Sequence, residues 1–415
     1  MCATRFSRVL TSLLAICFVC LFIASVSLVH ASASSAASQS YALHPALSTS
    51  CPAPGTARAA SLPSMTLGSH PTIVYIVNEG TSSQPTFGTL KRYDVTTGNK
   101  VDILKMPGTS ISEAQISANG QWLLFVAHVS GQVKLQLVRM DGQFLQTLYC
   151  GNPAEAQWSA TQQLVVFSDS GNVYLLNMSN GALQVELSFS KGVSIHPRTW
   201  LDKIRVYVTI QFPDGPPETL AILDTSKGPN QQYQNLPVAF DASTSTPFCW
   251  DFDSSFDASN LFVSQCSASS SGGPGADIFQ GPSVITVRAP EGSPYSYLYV
   301  NQGRAFTTLR AVTKTTLLFT VGNTTGDTSQ NGLWKVGTDG SHATHLTSSG
   351  EFNLFTQFPW SNVSRDGTRY ALQIITSTST STTYTLEFGS LSGGSPVVFA
   401  SITGTQLATV GWTTM

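Results

Sequence analysis

"GTQLATVGWTTM", residues 404–415, reads as a β-strand with nothing after it to pair with. Its Thr, Val and Trp suit a pleated, half-buried surface. A strand without a partner is an open edge that invites unwanted pairing. The partner must be sought elsewhere in the chain. "TIVYIV", residues 72–77, is an apolar strand pattern that lacks the strand expected before it.

Working outward from these two ends, one pattern recurs. "ISEAQISANGQWLLFVAHVSGQVKLQLVRMDGQFLQTLYC" starts at Ile111 and "PAEAQWSATQQLVVFSDSGNVYLLNMSNGALQVELSFS" at Pro153. Each gives a strand, a polar turn, a strongly apolar strand, a loop, a third strand, a Gly turn and a fourth strand. The anchors ending the first strands are Ile116, Trp158 and Trp200, 42 residues apart. Phe256, Val312, Val363 and Trp412 continue the series at looser spacing. Second strands fall at 72–77, 122–127, 163–168, 204–210, 261–266, 317–322 and 370–375. Thr97-Gly98, Asp141-Gly142, Asn180-Gly181, Asp339-Gly340 and Gly393-Gly394 supply tight turns, since these residues tolerate positive φ.

Seven four-stranded antiparallel units predict an all-β fold, a seven-bladed β-propeller over residues 72–415. The C-terminal strand then joins blade 1 and closes the ring. A sandwich would not keep one strand–turn register seven times, and parallel β-helix repeats are much shorter.

"SRDGTRYAL" (364–372) and "SANGQWLLF" (117–125) resemble the "SPDGxxLxF" segment of TolB-type, WD40-like bacterial propeller repeats. "LWKVGTDGSHATHLT" (333–347) resembles the second half of that repeat. The resemblance is good in blades 2, 3, 6 and 7 and poor in blades 4 and 5. It implies a fold and a tendency to bind partners, and no chemistry.

The N-terminus predicts export. Arg5 and Arg8 precede an apolar run from Val9 to Val29, and "VHA" ends at Ala31. Residues 1–31 read as a signal peptide or, uncleaved, as a membrane anchor. Residues 32–71 are Ala/Ser/Pro-rich and read as a flexible linker. Charged residues are 11% and the net charge is −2, so nothing points to nucleic acid. A Ser/Thr-rich, charge-poor surface suits a secreted or cell-surface protein, expected as a monomer that meets a membrane only through an uncleaved N-terminal segment.

The cysteines fit an oxidising compartment. Cys51, Cys150, Cys249 and Cys266 remain after the N-terminal segment. Cys249 and Cys266 flank the turn at 257–259 almost symmetrically, which places them opposite each other across a hairpin. Cys51–Cys150 follows by elimination and pins the linker to the end of blade 2.

Candidate sites are fewer. Counting back three residues from each anchor gives the channel positions Glu113, Glu155, Pro197, Asp253, Leu309, Trp360 and Thr409. With Asp251, His196, Arg198 and Arg310 nearby in sequence, these carboxylates form a possible site for a polar ligand or a Ca ion. The alternative is that they bond to free backbone N–H groups of the innermost strands. No cofactor is expected. No G-x-S-x-G, H-E-x-x-H or Walker A pattern occurs, and His342 and His345 of "HATH" point to opposite faces on a strand. The leading expectation is a non-catalytic binding module for a protein or glycan. It would act through the face bearing the loops between second and third strands, where "NEGTSSQPTFGT", "SASSSGGPGADIFQGPS" and "NTTGDTSQNG" lie. A secreted lyase or hydrolase and a structural cell-surface protein are the alternatives.

Overall fold

The computed structural model describes residues 49–81, 83–189, 192–213, 219–228, 233–236, 247–255, 257–269, 278–279, 283–292, 294–301, 304–323, 327–349 and 362–415. The expected signal peptide, the first part of the linker, Phe256 and Trp360 lie outside them. Seven antiparallel sheets follow one another along the chain.

Blade 2 shows the common plan. Thr109–Ile116 is innermost, followed by Trp122–Val129, Gln132–Arg139 and Gln146–Gly151. Blade 3 repeats it from Ala154–Trp158 to Leu183–Ser188, and blade 4 from Ser194–Trp200 to Gln234–Leu236. Blade 5 runs from Pro247–Ser254 to Tyr295–Asn301, with Ile278–Phe279 added at the end of Leu261–Ser269. Blade 6 runs from Phe306–Thr313 to Thr344–His345. Blade 7 has three strands among the described residues, Arg369–Ser377, Thr382–Ser390 and Val397–Thr403. A bridge between Val363 and Tyr370 marks the end of its innermost segment. Blade 1 takes Gln406–Thr414 as its innermost strand, then Pro71–Gly80, Pro85–Asp94 and Lys100–Pro107. Ile73 faces Trp412 and Asn78 faces Gln406.

Packing explains why the second strands read as unbroken apolar runs. Each is buried on both faces, and successive side chains point to opposite sides. Trp122, Leu124 and Val126 pack toward blade 3, while Leu123, Phe125 and Ala127 pack toward blade 1. The described core divides into seven clusters, each shared by two adjacent blades. The cluster between blades 7 and 1 joins Ala371, Leu386 and Phe399 to Ile73, Tyr75, Leu407 and Trp412. The ring is thus closed twice, by backbone hydrogen bonds within blade 1 and by side-chain packing beside it.

A serine explains the recurring turn between first and second strands. The Ser117 hydroxyl accepts the Trp122 N–H and donates to Asn119. Ser159 accepts from Leu164, Ser255 from Asn260 and Ser364 from Arg369, each five residues on. The residue three after the serine has positive φ: Gly120, Gln162, Ala258 and Gly367. Blade 5 therefore has the same turn as blades 2, 3 and 7, although its sequence resemblance is poor. This also corrects its anchor. Ser254 precedes the turn serine, as Ile116, Trp158 and Val363 do.

The segment before blade 1 departs from the expected flexible linker. Thr49–His70 has no regular structure but is held along the blades. Cys51 and Cys150 form a disulfide with Cα atoms 5.6 Å apart. Arg58 N–H donates to Leu148 of blade 2 and Ala60 N–H to Met178 of blade 3. The Gln146 amide brackets Ser61, accepting from its N–H and donating to its carbonyl. Gln121 brackets Met65 in the same way. His70 and Met415 exchange backbone hydrogen bonds. A polar, proline-containing strap satisfies its backbone here with glutamine side chains in place of a sheet ladder. Cys249 and Cys266 are direct register partners in blade 5, and their side chains lie outside the described set.

Candidate functional site

The channel carboxylates are placed by the innermost strands, whose inner edges have no strand to pair with. Glu113 Oε2 accepts the Ala156 N–H of blade 3 at 3.3 Å. Gln115, two residues on, accepts the Trp158 N–H at 2.6 Å. Between blades 5 and 6, Asp251 accepts the Leu309 N–H and Asp253 the Ala311 N–H, both at 2.9 Å. With the corrected anchor, Asp251 is the equivalent of Glu113 and Glu155, and Asp253 is the equivalent of Gln115. Counting back from position 256 overshoots by two in blade 5, because its register is set by the Ser255 turn. Both rungs tie one innermost strand to the next, an answer to edge N–H groups that would otherwise be buried unpaired.

The other candidates pair locally. The Glu155 carboxylate holds the His196 ring at 2.7 Å, and Glu155 itself has φ +54° at an irregularity in its strand. Arg310 donates to Asp251 at 2.7 Å with both side chains buried, and Arg198 stands 3.8 Å from the other carboxylate oxygen. The buried Nε and Nη2 of Arg310 have no hydrogen-bond partner. Burial pushes Asp253 up to about 7, against the pull of Arg310 and the Ala311 N–H. Burial raises Glu113 to about 7 as well, with Glu155 adding repulsion and backbone N–H groups opposing the rise. Among the described residues no three His, Cys, Asp or Glu side chains gather to hold a metal ion. Glu113, Glu155 and Asp253 are thus spread over separate pairings.

What sequence reasoning did not locate is a cleft of about 990 Å³ where blades 7, 1 and 2 meet. It is lined by the hairpin ends Asn78–Thr81 and Thr378–Thr382 together with Ser110–Glu113, His128 and Gln406. This is the face of the second-to-third-strand loops. Blade 7 was not among the long loops expected there. Its Thr-rich run continues the ladder instead, with Ile375 facing Tyr384 and Ser377 facing Thr382. In blade 1 the strands extend to Gly80 and from Pro85, leaving only a short turn in which Thr81 and Gln84 exchange backbone bonds. Ser112 Oγ lies 3.2 Å from His128 Nε2. No described carboxylate bonds to the imidazole's other nitrogen, so the pair does not make a nucleophilic triad.

The fold and this face define a seven-bladed β-propeller with a polar mouth. No family model matches the chain, and no curated protein does. Among solved structures it is similar to TolB from Acinetobacter baumannii, at 12% identity and a TM-score of 0.43, over 66% of this chain and 62% of that one. It is also similar to a post-proline cleaving enzyme from Rickettsia typhi, at 10% identity and a TM-score of 0.48, over 80% of this chain and 53% of that one. Dipeptidyl peptidase 4 from Porphyromonas gingivalis gives 9%, 0.46, 77% and 52%. The chain spans 62% of the first of these and about half of each peptidase. At such identities the likeness is one of fold.

Proposed function

We propose that this propeller is an extracytoplasmic binding module that recognises a protein or glycan through the face carrying the blade 7, 1 and 2 hairpins. The observation that carries the reading is the cleft of about 990 Å³ on that face, walled by hydroxyls and hairpin ends. Its volume falls in the range of ligand-binding clefts. The Cys51–Cys150 disulfide supports an oxidising compartment. The channel carboxylates serve neighbouring strands, which favours binding over chemistry in the bore. The test is capture of the protein on a native cell-envelope fraction. Thr380→Trp and Ser112→Trp fill the cleft mouth and are expected to abolish capture, while Thr96→Trp, on a turn between third and fourth strands, leaves it intact. Equal capture of all three sinks the reading.

A further inference from the structure

The cleft has an unbalanced charge. Its lining contains two carboxylates, Glu79 and Glu113, and no Lys or Arg. Lys105 reaches Glu79 from outside at 3.9 Å, with both groups partly exposed, so it offsets that charge only in part. Among the described residues Glu113 has no cationic partner, and its bonds there are to backbone N–H groups. Glu155, of like sign and already paired with His196, adds repulsion. His128 bonds to the Ser112 hydroxyl. A carboxylate drawn out of water and left without a counter-ion favours a cation that can enter beside it.

The walls restrict what carries that cation. Half of the lining residues bear hydroxyls. The backbone donors of the walls are already used: Thr81 N–H by Gln84, Thr378 N–H by Ser381, Gly404 N–H by Thr382 and Ile111 N–H by the Asn78 side chain. An extended peptide docking by backbone pairing would find these hairpin donors already taken. Pro85 and Ile111 are the only apolar aliphatic side chains in the lining, so there is no pocket for an apolar anchor. Side-chain hydroxyls and carboxylates remain, and these suit a ligand that is itself hydroxyl-rich.

From the pairing of this hydroxyl-lined cleft with the uncompensated Glu113 carboxylate, we infer that it binds an oligosaccharide carrying free amino groups. A sugar ammonium pairs with Glu113, and the sugar hydroxyls meet the Ser/Thr walls. The inference rests on the loop-face reading and narrows its ligand.

The test is calorimetric titration of the full chain at about pH 7.5, above the Glu113 value of about 7 so that its carboxylate is mainly ionised, with three probes: a glucosamine tetramer, its fully N-acetylated form and an N-acetylated lysine peptide. The amino form is expected to bind at least tenfold more tightly than the acetylated form. Glu113→Gln is expected to lose at least tenfold for the amino form alone. Glu79→Gln, at a partly exposed position near the end of its strand, is expected to lose less and gives the same test should Glu113→Gln not fold. Asp339→Asn, on a turn between third and fourth strands, leaves binding unchanged. Equal binding of the two oligosaccharides, indifference to both Glu variants, or binding of the peptide in place of the sugar overturns the inference. If no probe binds while Thr380→Trp still abolishes envelope capture, the amino-sugar assignment fails and the loop-face reading stands.

Discussion

Trp412 shows how much one side chain carries in this chain. It is buried against Phe388 and the blade 7–blade 1 cluster, and its indole N–H has no partner. Trp412→Ala is expected to cost about 3–5 kcal/mol through the cavity it leaves. Trp412→Phe keeps an aromatic ring and deletes the orphan donor, so its cost is expected near 1 kcal/mol; urea unfolding of the two variants checks the contrast. Asp253 gives a pH signature. Its folded-state value of about 7 lies above the unfolded value, so the folded chain holds this proton more tightly. That contribution to stability is complete below about pH 4 and is lost as pH rises through about 7. Asp253→Asn is expected to flatten the decline in stability between pH 5 and 8, as read from melting temperatures across that range. At this scale the register of blade 5 was not legible in the sequence. Asp251 holds the position equivalent to Glu113, because blade 5 is registered by the Ser255 hydroxyl.

At the scale of elements, the repeat was legible because each second strand is buried on both faces and so reads as an apolar run wherever it occurs. The strap was not. Its backbone is held by Gln146 and Gln121, 85 and 56 residues away in sequence, and no local pattern encodes such a bracket. The cleft was hidden for a related reason. It arises where hairpins of blades 7, 1 and 2 converge, and the blade 7 hairpin is a Thr/Ser run that composition alone reads as loop. Two changes probe the strap. Cys51→Ser is expected to lower stability by about 2–5 kcal/mol, since the bridge constrains residues 99 apart in sequence. Gln146→Ala is expected to speed hydrogen exchange at the Ser61 amide while exchange within the second strands stays slow. Equal protection at Ser61 in both proteins shows that the bracket contributes nothing.

On the scale of the whole molecule, closure is the property that the last strand and the first share. Removing 404–415 takes the innermost strand from blade 1 and takes Leu407 and Trp412 from the blade 7–blade 1 cluster. The truncated chain is expected to aggregate or to lose its single cooperative melting transition, as seen by calorimetry with light scattering. Closure also bears on how the chain reaches its native state. Asn78 and Gln406, partners in blade 1, stand 328 residues apart, and Thr413 meets Gly120 across a separation of 293. Blades 2 to 6 have local pairings and can assemble as they emerge. Blade 1 is made first and finished last, so its inner edge waits uncovered for the rest of the chain to appear. The slow step in refolding is then the docking of one late strand, and a synthetic peptide of the closing strand added to the truncated protein should shorten that wait.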